Sequence, residues 1–173
     1  MNDKVTVKIK KLHPDAVIPQ YAHKGDAGFD LVAAEDVIIA PGETKAIPLG
    51  LAFEIPEGYE MQIRPRSGIS SKTKLRVSNA PGTVDCTYRG EVKVLLDHTK
   101  CSVEYSVRCL ETLGGEEIEV CAFYPHETYL VSKGDRIAQG VIQRLPDVEL
   151  IETDELSDSE RGAGGFGSSG VKA

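Results

Sequence analysis

Tyr59-Glu60-Met61-Gln62-Ile63-Arg64-Pro65-Arg66 alternates along its length, with Met61 and Ile63 on one side and Gln62, Arg64 and Arg66 on the other. A period of two marks a half-buried β-strand, one face turned to a core and the other to solvent or a ligand. Working outward, the same signal recurs. Val5-Thr6-Val7-Lys8-Ile9-Lys10 alternates in the same way, Val37-Ile38-Ile39-Ala40 runs into the turn pair Pro41-Gly42, and a strand region from Ala46 to Ile55 stops at Pro56-Glu57-Gly58. No long stretch carries apolar residues at helical spacing; one short helical turn is expected after Ser67-Gly68, where Ser70 to Lys74 loses the alternation. Short strands punctuated by turn residues predict an all-β sandwich or barrel. Aromatic residues make up only 6% of the chain, with no Trp, so branched aliphatics must fill most of the core.

A length of 173 residues suits one domain with a tail or an insertion. With 20 Lys and Arg against 27 Asp and Glu, the net charge of −7 argues against broad binding to a nucleic-acid backbone. It leaves room for a small anionic ligand held by a few placed cations. No apolar run reaches the length of a membrane span, and Met1-Asn2-Asp3-Lys4 does not open a signal peptide. The expectation is a soluble cytoplasmic protein with neither a nucleic-acid nor a membrane partner. Cys86, Cys101, Cys109 and Cys121 form no CxxC pair and have no His at zinc-like spacing, so they read as reduced thiols.

Character changes near the C-terminus, dividing the chain into a β domain over residues 1–148 and a segment over 149–173. That segment opens with an acidic linker and continues as Arg161-Gly162-Ala163-Gly164-Gly165-Phe166-Gly167-Ser168-Ser169-Gly170. Five glycines in ten residues cannot repay their ordering entropy by burial, so the segment is expected to be mobile when alone. Composition by itself favours a plain disordered tail. Yet one Arg, one aromatic ring, two hydroxyls and freely presented backbone amides are also the parts of a phosphate-binding lid.

Five segments stand in a telling order: Ala27-Gly28-Phe29-Asp30-Leu31; Pro65-Arg66-Ser67-Gly68; Gly82-Thr83-Val84-Asp85 with Tyr88-Arg89-Gly90; Gly134-Asp135-Arg136-Ile137-Ala138-Gln139; and the Gly-rich tail. In that order they resemble the five motifs of the trimeric dUTP diphosphatases (dUTPases). The resemblance implies a jelly-roll-like β subunit, a homotrimer, and hydrolysis of dUTP to dUMP and pyrophosphate, which keeps uracil out of DNA and supplies dUMP for thymidylate synthesis. It also implies sites shared between subunits: motifs one, two and four from one copy, the third-motif hairpin from a second, the tail from a third.

By that resemblance Asp85 is the general base that primes a water against the α-phosphate, a task a positioned carboxylate can perform. A lone Asp in a turn commonly serves only the turn; the Tyr88-Arg89-Gly90 that follows favours the chemical role. Gly82, Thr83 and Val84, with the hairpin running to about Lys93, and Asn79 correspond to the uracil-binding slot. Tyr88 corresponds to the ring that packs beneath the deoxyribose and leaves no space for a 2′-hydroxyl. Arg66, Ser67 and Gly68 would take the phosphates, a guanidinium fork suiting phosphate oxygens. Ser70-Ser71-Lys72 adds donors nearby, and Arg64 is either a partner of Arg66 or merely solvated. Asp30 and Gln139 correspond to residues holding waters of a Mg²⁺ shell, which takes its other ligands from the substrate. Asp26 and Asp135 read as turn carboxylates. In the tail, Arg161 would reach the γ-phosphate and Phe166 would stack on uracil, with Gly167, Ser168 and Ser169 closing over the phosphates.

Tyr88 and Gly134 stand 46 residues apart, a longer span than the family usually has. Cys101 to Val107 and Glu117 to Phe123 are strand-like around a Leu113-Gly114-Gly115-Glu116 turn, so an added hairpin is expected within 98–127. Some phage members carry an insertion here that contacts a regulatory partner. For this segment that implies a protein-binding or trimer-capping role anchored by Tyr105, Phe123 and Tyr124, set against a tolerated surface elaboration; a phage source would place the protein in the host cytoplasm. Two other functions stay in view, a dCTP deaminase sharing the fold and a nucleotide-switched regulator acting through 98–127.

Overall fold

The computed structural model describes residues 4–101 and 106–165. Within them the chain forms thirteen strands and one short helix: β1 (Lys8–Lys11), β2 (Phe29–Val32), β3 (Val37–Ile39), β4 (Thr44–Pro48), β5 (Leu51–Glu54), β6 (Tyr59–Pro65), α1 (Ser67–Lys72), β7 (Leu75–Val77), β8 (Gly82–Val84), β9 (Lys93–His98), β10 (Ser106–Thr112), β11 (Glu117–Pro125), β12 (Tyr129–Val131) and β13 (Arg136–Arg144). The fold is all-β, as the alternation predicts. Four sheets result, ordered β2-β13-β6-β8, β4-β9-β7, β11-β10-β12-β3 and β1-β5.

The deciding stretch is β6, at the interior of the first sheet between β13 and β8. Met61 and Ile63 are buried, and Gln62 and Arg64 are only partly covered. The core is aliphatic: Leu31, Ile39, Ile47, Leu49, Leu75, Val94, Leu96 and Ile137 are almost completely enclosed, and Phe53 is the one aromatic among the largest fully buried side chains. Each such Leu or Ile stabilises the fold by about 1.5–3 kcal/mol relative to exposure.

Local expectations shift in three places. The strand region from Ala46 to Ile55 divides into β4 and β5 at Gly50, whose φ is +64° and where a Cβ would lie 3.0 Å from the Cβ atoms of both Ala16 and His13. Only glycine suits that corner. The first strand begins at Lys8, not Val5, because its partner β5 ends at Glu54, opposite Lys8. The helix starts at Ser67 itself, with Arg66 extended before it.

Between β9 and β12, β10 and β11 form an antiparallel hairpin, and Glu111 and Thr112 of β10 pair in parallel with Tyr129 and Leu130 of β12. At its base, Lys100 N–H donates to His98 Nδ1 (3.2 Å), so Nε2 carries the proton and donates to Glu127 O (2.9 Å). Lys100 and Glu127 add an ion pair. Phe123 projects from the outer strand, 64% exposed, under the Arg108 guanidinium (4.6 Å to the ring centroid), while Tyr124 is half-buried. Tyr105 lies outside the described residues.

Candidate active site

Two clusters of polar side chains stand on the first sheet. The first gathers where β2, β13 and the end of β6 meet. Register places Gln139 of β13 opposite Asp30 of β2 on one side and opposite Arg64 of β6 on the other. Directly paired strand residues are close neighbours, so Asp30 and Gln139 are brought together although 109 positions apart in the chain. Arg66, just beyond β6, has Nε 2.9 Å from Asp30 Oδ1 and donates from Nη1 to Arg136 O (3.0 Å). Arg136 Nη1 lies 3.4 Å from Asp30 Oδ2. Asp30 therefore sits between two guanidinium groups. Its Oδ1 is nonetheless buried without a hydrogen bond, because the nearby Nε–H of Arg66 is close but out of line.

A cavity of about 370 Å³ opens beside this pair, lined by Arg66, Gly68, Ile69, Lys72, Leu113, Gly114, Gly134, Asp135 and Arg136. Three cations face one carboxylate there. That carboxylate is already engaged, since Asp135 Oδ2 accepts from Ser132 N–H (2.8 Å). The arrangement suits a polyanion. Ser67 opens α1 with its side chain exposed, and Ser71 Oγ donates to Gly68 O (3.2 Å), a helix contact. Arg64 donates from Nε (3.0 Å) and Nη2 (2.7 Å) to Gln62 Oε1, which removes it from the phosphate candidates. Asp26 serves its own turn, accepting from His23 N–H (2.8 Å).

The second cluster belongs to β8 and the loop leading to β9. Pairing with β6 sets Gly82 opposite Ile63, Thr83 opposite Gln62 and Val84 opposite Met61. Gly82 and Val84 are buried, leaving Thr83 and Asp85 on the exposed side. A cavity of about 390 Å³ is lined by Asn79, Gly82, Thr83, Val84, Asp85, Tyr88, Glu91 and Lys93 on a floor that includes Ile63, Ala46 and Leu95. The Asn79 amide lies against Gly82, where a Cβ would come within 3.2 Å of Nδ2. Tyr88 closes a tight turn by donating its N–H to Asp85 O (3.1 Å), and its Oη donates to Glu91 O (2.9 Å). Its ring folds over Gly90, where a Cβ would stand 2.5 Å from Oη, so the glycine of the Tyr-Arg-Gly motif makes room for the tyrosine. Arg89 donates to Tyr88 O (3.0 Å) and serves the turn.

The two cavities share no lining residue. Asp85 stands in a pocket whose one cation is Lys93, itself 3.5 Å from Glu91 Oε2. Arg161 donates from Nε to Gly164 O (2.8 Å) within its own turn, and Phe166, Gly167, Ser168 and Ser169 lie outside the described residues. Lys72 lines the first cavity although its segment reads from sequence only as nearby donors. Leu113 and Gly114 line it too, and nothing local reveals this, because a hairpin turn 47 residues beyond Arg66 is delivered there by strand pairing. Glu91 carries no motif signal apart from following Tyr88-Arg89-Gly90.

A divalent cation can be tested against these side chains. Among the described residues no three His, Cys, Asp or Glu converge as a metal-binding group. Asp30 Oδ1, buried and lacking a donor, is an acceptor of the kind that a metal-bound water satisfies, with Gln139 opposite it. The donor set fits a hydrated Mg²⁺ that takes its remaining ligands from phosphate.

The dUTPase family model matches residues 15–109 and 111–170. The deoxyuridine 5′-triphosphate nucleotidohydrolase of Nautilia profundicola is 49% identical over 164 residues, covering 95% of this chain and 98% of that protein. The enzyme of the same name from Thermobifida fusca is 48% identical over 169 residues, covering 98% and 81%. Among solved structures, Staphylococcus bacteriophage 80alpha dUTPase with dUpNHpp superposes with a TM-score of 0.89 at 37% identity, covering 96% of this chain and 99% of that one. The dUTPase of phage phi11 of S. aureus, solved to visualise a species-specific insert, gives 0.82 at 32% identity over 89% and 99%. Such names do not favour a deaminase. With five motifs in order, two polar clusters built from four of them, and relatives matched along nearly the whole length, the chain belongs to the dUTPase family.

Proposed function

We propose that this protein is a dUTP diphosphatase, hydrolysing dUTP to dUMP and pyrophosphate as a homotrimer whose active sites lie between subunits. One observation supports the subunit reading: the cavity holding Asp85 and the cavity holding Arg66, Lys72 and Arg136 share no residue, so neither by itself offers both the carboxylate and the cations that the reaction needs. The relatives' names support the activity.

In this reading uracil and sugar enter the Asn79–Lys93 cavity of one subunit. A slot with fixed backbone donors and acceptors rejects cytosine strongly, since the wrong edge leaves buried groups unpaired. The Tyr88 ring occupies the space a ribose 2′-hydroxyl would need. Asp85 takes a proton from a water whose oxygen bonds to the α-phosphorus, and the bond from that phosphorus to the bridging oxygen breaks, releasing pyrophosphate. Arg66 grips phosphate oxygens, and Ser67 donates to the bridging oxygen as charge builds there. Bound Mg²⁺ supplies charge neutralisation along the phosphates, with Asp30 and Gln139 holding its waters. Arg161 and Phe166, with Gly167, Ser168 and Ser169, close over the γ-phosphate, the uracil and the chain of phosphates, excluding bulk water. No described helix is long and apolar enough to cross a membrane, and the reading places the enzyme in the cytoplasm.

The test is pyrophosphate release from dUTP, dTTP, dCTP and UTP in parallel, with and without Mg²⁺. Turnover confined to dUTP and dependent on the metal is expected; inert dUTP ends the proposal. A second reading, a regulatory protein partner on the 98–127 hairpin, is favoured by the exposed Phe123 and Ile118 on its outer strand. Co-purification with and without dUpNHpp, using a Phe123→Ser variant as control, decides it: capture of the same protein by both variants removes this surface from the interaction.

A further inference from the structure

Glu91 stands at the end of the loop that carries Asp85 and Tyr88, and it is bonded in three directions. Its Oε1 accepts from Gly50 N–H (3.1 Å), its Oε2 lies 3.5 Å from Lys93 Nζ, and its carbonyl accepts from Tyr88 Oη (2.9 Å). The Gly50 end is a fixed point. That residue has φ +64° and is wedged against Ala16 and His13, and its carbonyl accepts from Leu12 N–H (2.8 Å). The residue after Glu91 is sewn to both neighbours of the corner, since Val92 N–H donates to Leu51 O (2.9 Å) and Leu49 N–H to Val92 O (3.2 Å). The Tyr88 end is different. With 46% of its surface exposed, this ring is not held by burial. Its tilt is set by the contact over Gly90 and by the bond to the Glu91 carbonyl.

We infer that Glu91 is a positioning residue for sugar selection: its carboxylate ties the loop to the Gly50 corner, and its carbonyl thereby holds the Tyr88 ring at the height that excludes a 2′-hydroxyl. The inference rests on the dUTP reading above and deepens it. Glu91 touches no reacting atom. A ring free to tilt by a few tenths of an ångström would readmit the extra oxygen of a ribonucleotide, because the discrimination is steric and its wall is a single exposed side chain. Removing the tie should therefore relax selectivity more than it slows dUTP hydrolysis at saturation.

The experiment measures kcat and KM for dUTP and UTP, with Tm and native mass, in the full-length wild type and in Glu91→Gln, Glu91→Asp, Glu91→Ala and Tyr88→Ala. Glu91→Gln retains an acceptor at full length for Gly50 N–H and loses only the partly exposed pair with Lys93. Its dUTP-over-UTP ratio in kcat/KM should stay within about twofold of wild type. Glu91→Asp is one methylene too short and Glu91→Ala lacks the acceptor; each should lose about five- to tenfold of that ratio, the equivalent of one hydrogen bond. A purely structural Glu91 would lower Tm and leave the ratio alone, and that outcome overturns the inference. So does an equal loss in Glu91→Gln and Glu91→Asp, since the acceptor would then not matter. If Glu91→Ala does not fold, the Gln and Asp pair decides by itself. Tyr88→Ala separates the two levels. An unchanged ratio there removes the sugar-selection reading and this inference together, whereas a large loss there beside an unchanged Glu91→Asp removes the Glu91 inference alone.

Discussion

The two cavities of this subunit are opposites built on the same strand. At its Ile63 position β6 forms the floor of a pocket lined by Asn79, Gly82, Val84 and Tyr88, with Asp85 at its edge. Three residues on, at Arg66, it feeds a pocket of arginine, lysine and glycine. The first has shape and an exposed carboxylate but little positive charge. The second has charge, and the one carboxylate in its lining, Asp135, is engaged in a turn, while Asp30 beside it stands between two guanidinium groups. Separation has a physical logic: a general base set among three cations would hold its proton acceptor orbitals toward them and be a weaker base. In the proposed reading Asp85 meets those cations only where subunits and substrate come together, which would confine chemistry to the assembled state.

The most severe break of that division is Asp85→Asn, which should cut pyrophosphate release from dUTP by roughly 10²–10⁴-fold while nucleotide binding by calorimetry stays near wild type. Near-normal turnover would strip Asp85 of its role. Truncation after Glu160 tests the third contributor and should lower kcat by about 10²-fold or more, the scale of losing pre-set donors to developing charge; an unchanged rate would make the segment a mere tail. Mixing then sharpens the comparison. Arg66→Ala and Asp85→Asn subunits, each nearly inactive, should regain roughly a quarter of wild-type sites after co-refolding in equal amounts, since half the hairpins and half the phosphate pockets are intact and they combine across copies. If both pockets of one copy served a single site, no activity would return. A smaller effect is expected from Lys72→Ala, a rise in KM for dUTP of a few-fold, about 1 kcal/mol, from one phosphate contact in a partly solvated cavity.

The smallest effect concerns stability. Asp97 on β9 accepts from Ser78 Oγ and Thr44 Oγ1, both at 2.6 Å, and these bonds hold its carboxyl below the ordinary carboxylate range. A folded pKa below the unfolded value contributes stability above the unfolded pKa and loses it as pH falls through the folded one. Asp97→Asn should therefore lower stability modestly at pH 7, by at most about 1 kcal/mol given the site's exposure and read as a lower Tm, and the gap to wild type should close below pH ~4. Glu111 works in the opposite sense. Partial burial and the nearby Glu127 and Glu117 carboxylates push its pKa up, so its share of stability is present in acid and lost as pH rises through its unfolded and then folded values. A Tm gap that ignored pH in Asp97→Asn would show that hydroxyl geometry, not charge, matters there.

Much of this could be read along the chain. The alternation at Met61 and Ile63, the turn pairs Pro41-Gly42 and Pro56-Glu57-Gly58, and the glycine that lets Tyr88 fold back are all written within a few residues of where they act. Strand character depends on which neighbours alternate, so local order suffices for it. Pairing is another matter. That Asp30 faces Gln139, that a turn at Leu113 and Gly114 walls the cationic cavity, and that Glu91 reaches the amide of Gly50 depend on register between strands distant in the chain. Register is chosen by the collective burial of whole faces, a property of the packed sheet that no short window contains. The all-β class and the residue types of the chemistry are thus set by the linear order of amino acids, while the division into two incomplete pockets exists only once the strands have found their partners.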